Sequence, residues 1–162
     1  MILPIRLYGD PVLRTKPKVV SEIANLEGVV EQMFAVMYHL EGVGLASNQV
    51  GIDKRMFVYE FGGMRGVVVN PILEITNDTP VVLPEGCLSV PMRGWQVPRA
   101  YAVHLTGTDE HGEPVSIHAE GMLARIFQHE VDHLEGGLLI DRLPEGERRH
   151  AKVALRGKNL PE

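Results

Sequence analysis

Residues 119–136 read AEGMLARIFQHEVDHLEG, and the order of apolar and ionisable residues in this run sets the expectation for the whole chain. At about 100° per residue, Met122, Arg125 and Ile126 share a helix face with His129 and His133, while Leu123, Phe127, Val131 and Leu134 form a second, apolar face. The run is therefore expected to be a helix buried on two sides. His129 and His133 stand four residues apart, so on a helix both imidazoles can close on one metal ion, with Glu130 beside that ion as a non-ligand. Metal-dependent hydrolases use this pattern, the glutamate shuttling protons for a water activated by the metal. Buried imidazoles also need partners on energetic grounds, and either a metal or backbone hydrogen bonds would supply them.

Moving outward, Gly136 and Gly137 are expected to stop this helix, and Pro144 to open a last one from 145 to about 156. That last helix carries Arg148, Arg149, Lys152, Arg156 and, just beyond, Lys158. Upstream, 101–106 and 115–118 read as a hairpin through 109–112, with His104 and His118 at solvent-facing strand positions. Residues 93–98 read as a loop holding Trp95. The prolines at 84 and 91 favour a fixed, extended segment between them. Strands are expected at 56–61 and 66–70 around Gly62-Gly63, and as short pieces at 72–76 and 79–83 around Asn77-Asp78. Leu26, Val29, Val30, Met33, Val36, Met37 and Leu40 recur at helical spacing, with Asn25 as N-cap and Gly42 as stop. Helices combined with an antiparallel meander make the class α+β.

The 162 residues are 44% hydrophobic, enough for one compact domain spanning 1–162 with a real core. A formal net charge of −5 argues against a general nucleic-acid binder. Residues 42–49 lack the further glycine and lysine of a phosphate-binding loop, and their glycines point instead to close backbone approach to a ligand or another element. Without a signal-like start or an apolar run long enough for a membrane span, the expectation is a soluble cytoplasmic protein with no membrane partner.

Two histidines do not complete a catalytic metal site, which needs three protein ligands and an open position. The commonest extended pattern places a third histidine six residues after the second, where this chain has Leu139. Cys87, the sole cysteine, sits in the rigid 84–91 segment and is the stronger candidate, giving a Cys-His-His set whose thiolate offsets metal charge.

Three stretches carry a family resemblance: Gly42-Val-Gly-Leu-Ala-Ser-Asn-Gln49, Glu85-Gly-Cys-Leu-Ser89 and Gln128-His-Glu-Val-Asp-His-Leu134. In this order and at these intervals the chain resembles bacterial peptide deformylases over nearly its whole length. It departs at Ser47, where the family usually has alanine. The resemblance implies a peptide deformylase-like α+β fold, antiparallel sheets packed around a central metal-binding helix. It also implies hydrolysis of the N-formyl group from formyl-methionine at the start of nascent polypeptides, releasing formate. By resemblance Cys87, His129 and His133 ligate the metal, Glu130 is the acid-base residue, and the Gln49 amide and Leu88 backbone N–H face the formyl oxygen. Gly44 lets the substrate backbone approach closely, Val43, Met122, Arg125 and Ile126 border the methionine pocket, and Glu85 and Arg99 support the cysteine segment. The implied cofactor is one divalent ion, Fe(II) in the cell, with Zn(II), Ni(II) or Co(II) in purified protein. The basic terminal helix is a candidate contact with the ribosome. From residues alone, a metallopeptidase or a non-catalytic, metal-stabilised binding domain remains open.

Overall fold

The computed structural model describes residues 2–156, so Lys158 lies outside the described residues. Its elements are α1 (Glu27–His39), β1 (Gly44–Ala46), β2 (Met56–Phe61), β3 (Met64–Cys87), β4 (Val90–Thr108), β5 (Pro114–Glu120), α2 (Gly121–Leu134) and α3 (Glu145–Leu155), with short 3₁₀ turns at Pro11–Arg14, Ser47–Val50 and Leu139–Arg142. The strands form one antiparallel sheet in sequence order, β1-β2-β3-β4-β5.

The β2–β3 hairpin follows from Gly62 and Gly63, both left-handed at φ 60° and 81°, as a two-residue turn between right-twisted strands requires. Strand alternation then decides which helix each residue meets. Met56, Val58, Val67 and Val69 join the cluster under α1 with Met33 and Met37. Phe57, Tyr59 and Val68 face the other way and pack with Phe127, Ala124 and Leu134 of α2. This part of the sheet is thus buried on both faces, one helix on each. A third cluster gathers Leu13, Val90, Val97, Leu138, Leu139, Ile140 and Leu155, joining the Leu139–Arg142 turn and α3 to the start of β4.

Four expectations are corrected. Residues 72–76 and 79–83 are not hairpin partners but parts of the single 24-residue β3, both paired with β4. Asn77 marks a register shift, its side chain accepting from Thr79 N at 3.0 Å, so the turn signal there produces a bulge rather than a reversal. Residues 93–98 are not a loop but strand, with Glu85 opposite Trp95 and Leu83 opposite Val97. Asn25 does not cap α1: it is left-handed at φ 58°, a conformation its short side chain tolerates, and Leu26 is the cap. Gly42 is not the left-handed stop of α1; that residue is Glu41, at φ 56°.

Both long helices end alike. At α2, Gly136 N bonds His133 O and Gly137 N bonds Asp132 O; at α1, Glu41 N bonds Tyr38 O and Gly42 N bonds Met37 O. This is a Schellman closure in each case, with glycine in the left-handed position once and glutamate once. Gly136 is further constrained because a Cβ there would lie 2.7 Å from the Arg14 carbonyl oxygen. Gly136→Ala should therefore destabilise the fold by about 2 kcal/mol, whereas Glu41→Gly should stabilise it by up to about 1 kcal/mol. Thermal unfolding of the two variants should move Tm in opposite directions.

Candidate active site

α2 is amphipathic in an unusual sense: its buried residues include Arg125, Gln128, His129, Glu130 and His133. Groups of this polarity persist in a core only when their hydrogen-bonding and charge requirements are met. Their partners come mainly from the end of β3. Cys87 is the last residue of that strand and opens the tight turn into β4, with Val90 across from it. That turn is pinned from the other side, Tyr8 N donating to Ser89 O at 2.7 Å. The Cys87 Sγ consequently lies 3.3 Å from His133 Nε2, and His133 Nε2 lies 3.2 Å from His129 Nε2. One donor atom from each of Cys87, His129 and His133 falls within 4.8 Å of the others.

Behind this group stands Glu85, one strand pair before the cysteine. Its Oε2 accepts from His129 Nδ1 at 2.8 Å and Arg99 at 2.7 Å; its Oε1 accepts from Arg125 at 2.9 Å and Arg99 at 3.2 Å. Burial alone would raise the Glu85 pKa, but the hydrogen bonds from His129 and Arg99 outweigh it and hold the carboxyl well below the usual carboxylate range. Arg99 also bonds Asp132 at 2.5 Å, and Asp132 takes a two-point contact from Arg142 at 2.7 and 3.0 Å. Burial would also lower His129, yet its bonds to Cys87 and Glu85 raise it well above an ordinary imidazole. His133 is lowered, first by burial and then by repulsion from His129.

Glu130 is only 4% exposed, and its Oε2 has no hydrogen-bond partner. Burial pushes its pKa up to about 7 despite the opposing pull of His129. Gly44 of β1 makes room for it: a Cβ there would sit 2.6 Å from Glu130 Oε1. The glycine thus admits a buried carboxylate from another element, while Gly42 similarly makes room for Leu88, whose Cδ1 would be 2.7 Å from a Cβ.

A cavity of about 320 Å³ opens over these groups. It brings together Val43, Gly44, Gln49, Glu85, Cys87, Leu88, Met122, Arg125, Ile126, His129 and Glu130. His133 and Arg99 lie behind its wall. Gln49 is oriented by accepting from Ala46 N at 2.9 Å, which turns its amide nitrogen to Ser89 Oγ at 3.0 Å and toward Cys87 Sγ at 3.7 Å. Arg125 lines the cavity with its stem, its guanidinium being drawn away to Glu85, Val97 O and Val81 O. Ser47 is fully buried and donates to Lys54 O, so its hydroxyl is spent on a local turn.

Sequence reasoning left several supporting residues without a task. Gln128 both donates to and accepts from the Ala100 backbone, at 2.9 and 3.0 Å, two positions beyond the last β4–β5 pair. Asn48 donates to His133 O at 2.7 Å, and Ser89 holds Gln49. Asp132 was visible within the helix run, but its ion pairs with Arg99 and Arg142 depend on a strand placement that spacing does not reveal.

The donors fit a metal ion. One thiol and two imidazoles converge in a half-buried pocket, His129 is oriented through Nδ1 by an ionised carboxylate, and its Nε2 points at the other two donors. A soft sulfur with two imidazoles suits a first-row transition metal or zinc rather than magnesium or calcium.

Comparison with known proteins gives a consistent picture. A family model described as polypeptide deformylase matches residues 2–149. Peptide deformylase 1 of Corynebacterium glutamicum is 44% identical, the match covering 94% of this chain and 93% of that protein. The peptide deformylase of Mycobacterium sp. strain JLS is 40% identical over 96% of this chain and 86% of its own. Among solved structures, peptide deformylase from Thermus thermophilus superimposes with a TM-score of 0.91 at 40% identity, over 97% of this chain and 95% of that one. A Synechococcus elongatus peptide deformylase solved in complex with actinonin gives 0.87 at 39%, over 94% and 85%.

Glu85→Gln retains the shape of the side chain but removes the charge that orients His129. Metal retention, read by competition with a chelator, should fall by about 10–100-fold. Glu85→Ala should in addition lower stability by about 1–3 kcal/mol, since Arg125 is left with only the Val81 and Val97 carbonyls and Arg99 with Asp132 alone.

Proposed function

This chain belongs to the polypeptide deformylase family and is a hydrolase that removes the N-formyl group from nascent peptides, and on that premise we propose how its own residues divide the reaction. The observation that carries the assignment is the convergence of Cys87, His129 and His133 beside the buried carboxylate of Glu130, whose Oε2 has no hydrogen-bond partner. Cys87, His129 and His133 hold one divalent ion, ferrous iron in the cell, which zinc, nickel or cobalt replaces in purified protein. When bound, that ion supplies Lewis acidity that brings the pKa of a water toward neutrality.

Glu130 takes the proton from the attacking water and returns it to the amine nitrogen as the C–N bond breaks, giving formate and a free amino terminus. A carboxyl raised by burial suits both halves of that task, since it accepts and releases a proton near neutral pH. The Gln49 Nε2 and the Leu88 backbone N–H stabilise the charge that develops on the formyl oxygen. Val43, Gly44, Met122, Ile126 and the stem of Arg125 receive the methionine end of the substrate. Glu85 and Arg99 hold His129 and the cysteine strand in place.

Residues 1–162 act as one catalytic domain. No helix among the described residues is long and apolar enough to cross a membrane. The exposed Arg149, Lys152 and Arg156 on and just after α3 are the surface we assign to contact with the ribosome, where nascent chains emerge.

Glu130→Ala should retain bound metal while formate release from formyl-Met-Ala falls by about 10²–10⁴-fold. Loss of metal in that variant would instead make Glu130 a ligand and overturn the assignment. For Cys87→Ser the expected result is weakened or altered metal binding with loss of activity; unchanged metal content would move the third ligand elsewhere.

A further inference from the structure

On the far side of the sheet, His104 of β4 and His118 of β5 are direct cross-strand partners. Their rings lie nearly parallel, centroids 4.0 Å apart with an interplanar angle of 6°. The face they occupy is the outer one, because the intervening residues Val103, Leu105 and Ala119 point into the core under α2. Glu74 of β3 stands in register with His104 on its other side, so a carboxylate and two imidazoles form a row across three strands. His104 Nε2 lies 2.8 Å from Ser116 Oγ. When that nitrogen donates to the hydroxyl, Nδ1 keeps a free lone pair, the arrangement by which a neighbouring group fixes a metal-binding tautomer.

We propose that His104 and His118 form a second metal-binding site, a two-imidazole clip taking a borderline divalent cation such as zinc, nickel or copper. The ring centroids of this pair are closer than those of His129 and His133, which are 4.9 Å apart with their Nε2 atoms at 3.2 Å. Turning the rings out of this parallel stack, toward the 71° that separates His129 and His133, would bring one lone pair of each toward a common point. His118 is exposed and His104 half-buried, so the outer ring has open space on its solvent side. The two strands already hold the Cα atoms together, so chelation orders only side-chain torsions. Imidazole donors favour zinc, copper and nickel over magnesium and calcium. The row lacks a thiolate, a buried base and an enclosing cavity, so it binds a cation without the hydrolytic chemistry of the cavity site.

The test uses protein whose Cys87 site is already loaded. Zinc titrated calorimetrically into it should bind as a second equivalent, and untagged protein should be retained on a nickel resin. His104→Gln and His118→Gln should each weaken the second event by about tenfold or more while leaving formate release unchanged. Cys87→Ser should alter the first event and spare the second, which separates this site from the catalytic assignment. The proposal is overturned if the loaded protein takes up no second equivalent, or if both histidine substitutions leave that equivalent unchanged.

Discussion

One buried carboxylate carries the architecture of this site. Glu85 receives four hydrogen bonds from three cationic or potentially cationic side chains, and each of those side chains belongs to a different structural task. Arg99 comes from the neighbouring strand, Arg125 and His129 from the helix that crosses it. Separately, each of these groups would be expensive to bury; together they satisfy one another, and the ladder of β3 and β4 becomes joined to α2 by charge as well as by apolar contact. Asp132 and Arg142 extend the same alternation outward to solvent. Such a network fixes orientation more than it adds stability, and orientation is what a constellation of metal donors requires.

Two carboxylates beside the metal donors, one on β3 and one on α2, show how surroundings set such groups apart. Glu85 is surrounded by donors and held ionised; Glu130, one residue from His129, is equally enclosed but has no donor on Oε2 and is raised toward neutrality. Environment, not residue type, separates a carboxylate held ionised from one that titrates near neutrality. The glycine at 44 belongs to this contrast, because a side chain there would compete with Glu130 for the same space.

Much of this was legible in the chain. The boundaries of α2 follow from its apolar spacing and its terminal glycines, and the β2–β3 hairpin from Gly62-Gly63 flanked by alternating apolar residues. The cysteine and both histidines could be singled out by type and spacing. What was not legible shares one cause: it depends on long-range pairing. Asn77-Asp78 carries a turn signal, yet both flanks find better partners in β4 than in each other. Residues 93–98 have loop composition, but 95–98 lie opposite 82–85, and the ladder overrides local preference. Arg125 could be placed on the cavity face, but the carbonyls of Val81 and Val97 that draw its head away come from strands whose register no local pattern reports.

Strand order in this sheet is also chain order, and that has a consequence for biosynthesis. A chain emerging from its amino end can pair each new strand with the one just completed, so the sheet grows without waiting for a distant segment. The catalytic pocket has no such privilege. Cys87 is made before either imidazole exists, and through the synthesis of β4 and β5 its thiol has neither His129 nor His133 beside it. Only when α2 has formed does the pocket acquire its full donor set, so metal capture is tied to the last third of synthesis and rewards chains that have folded that far.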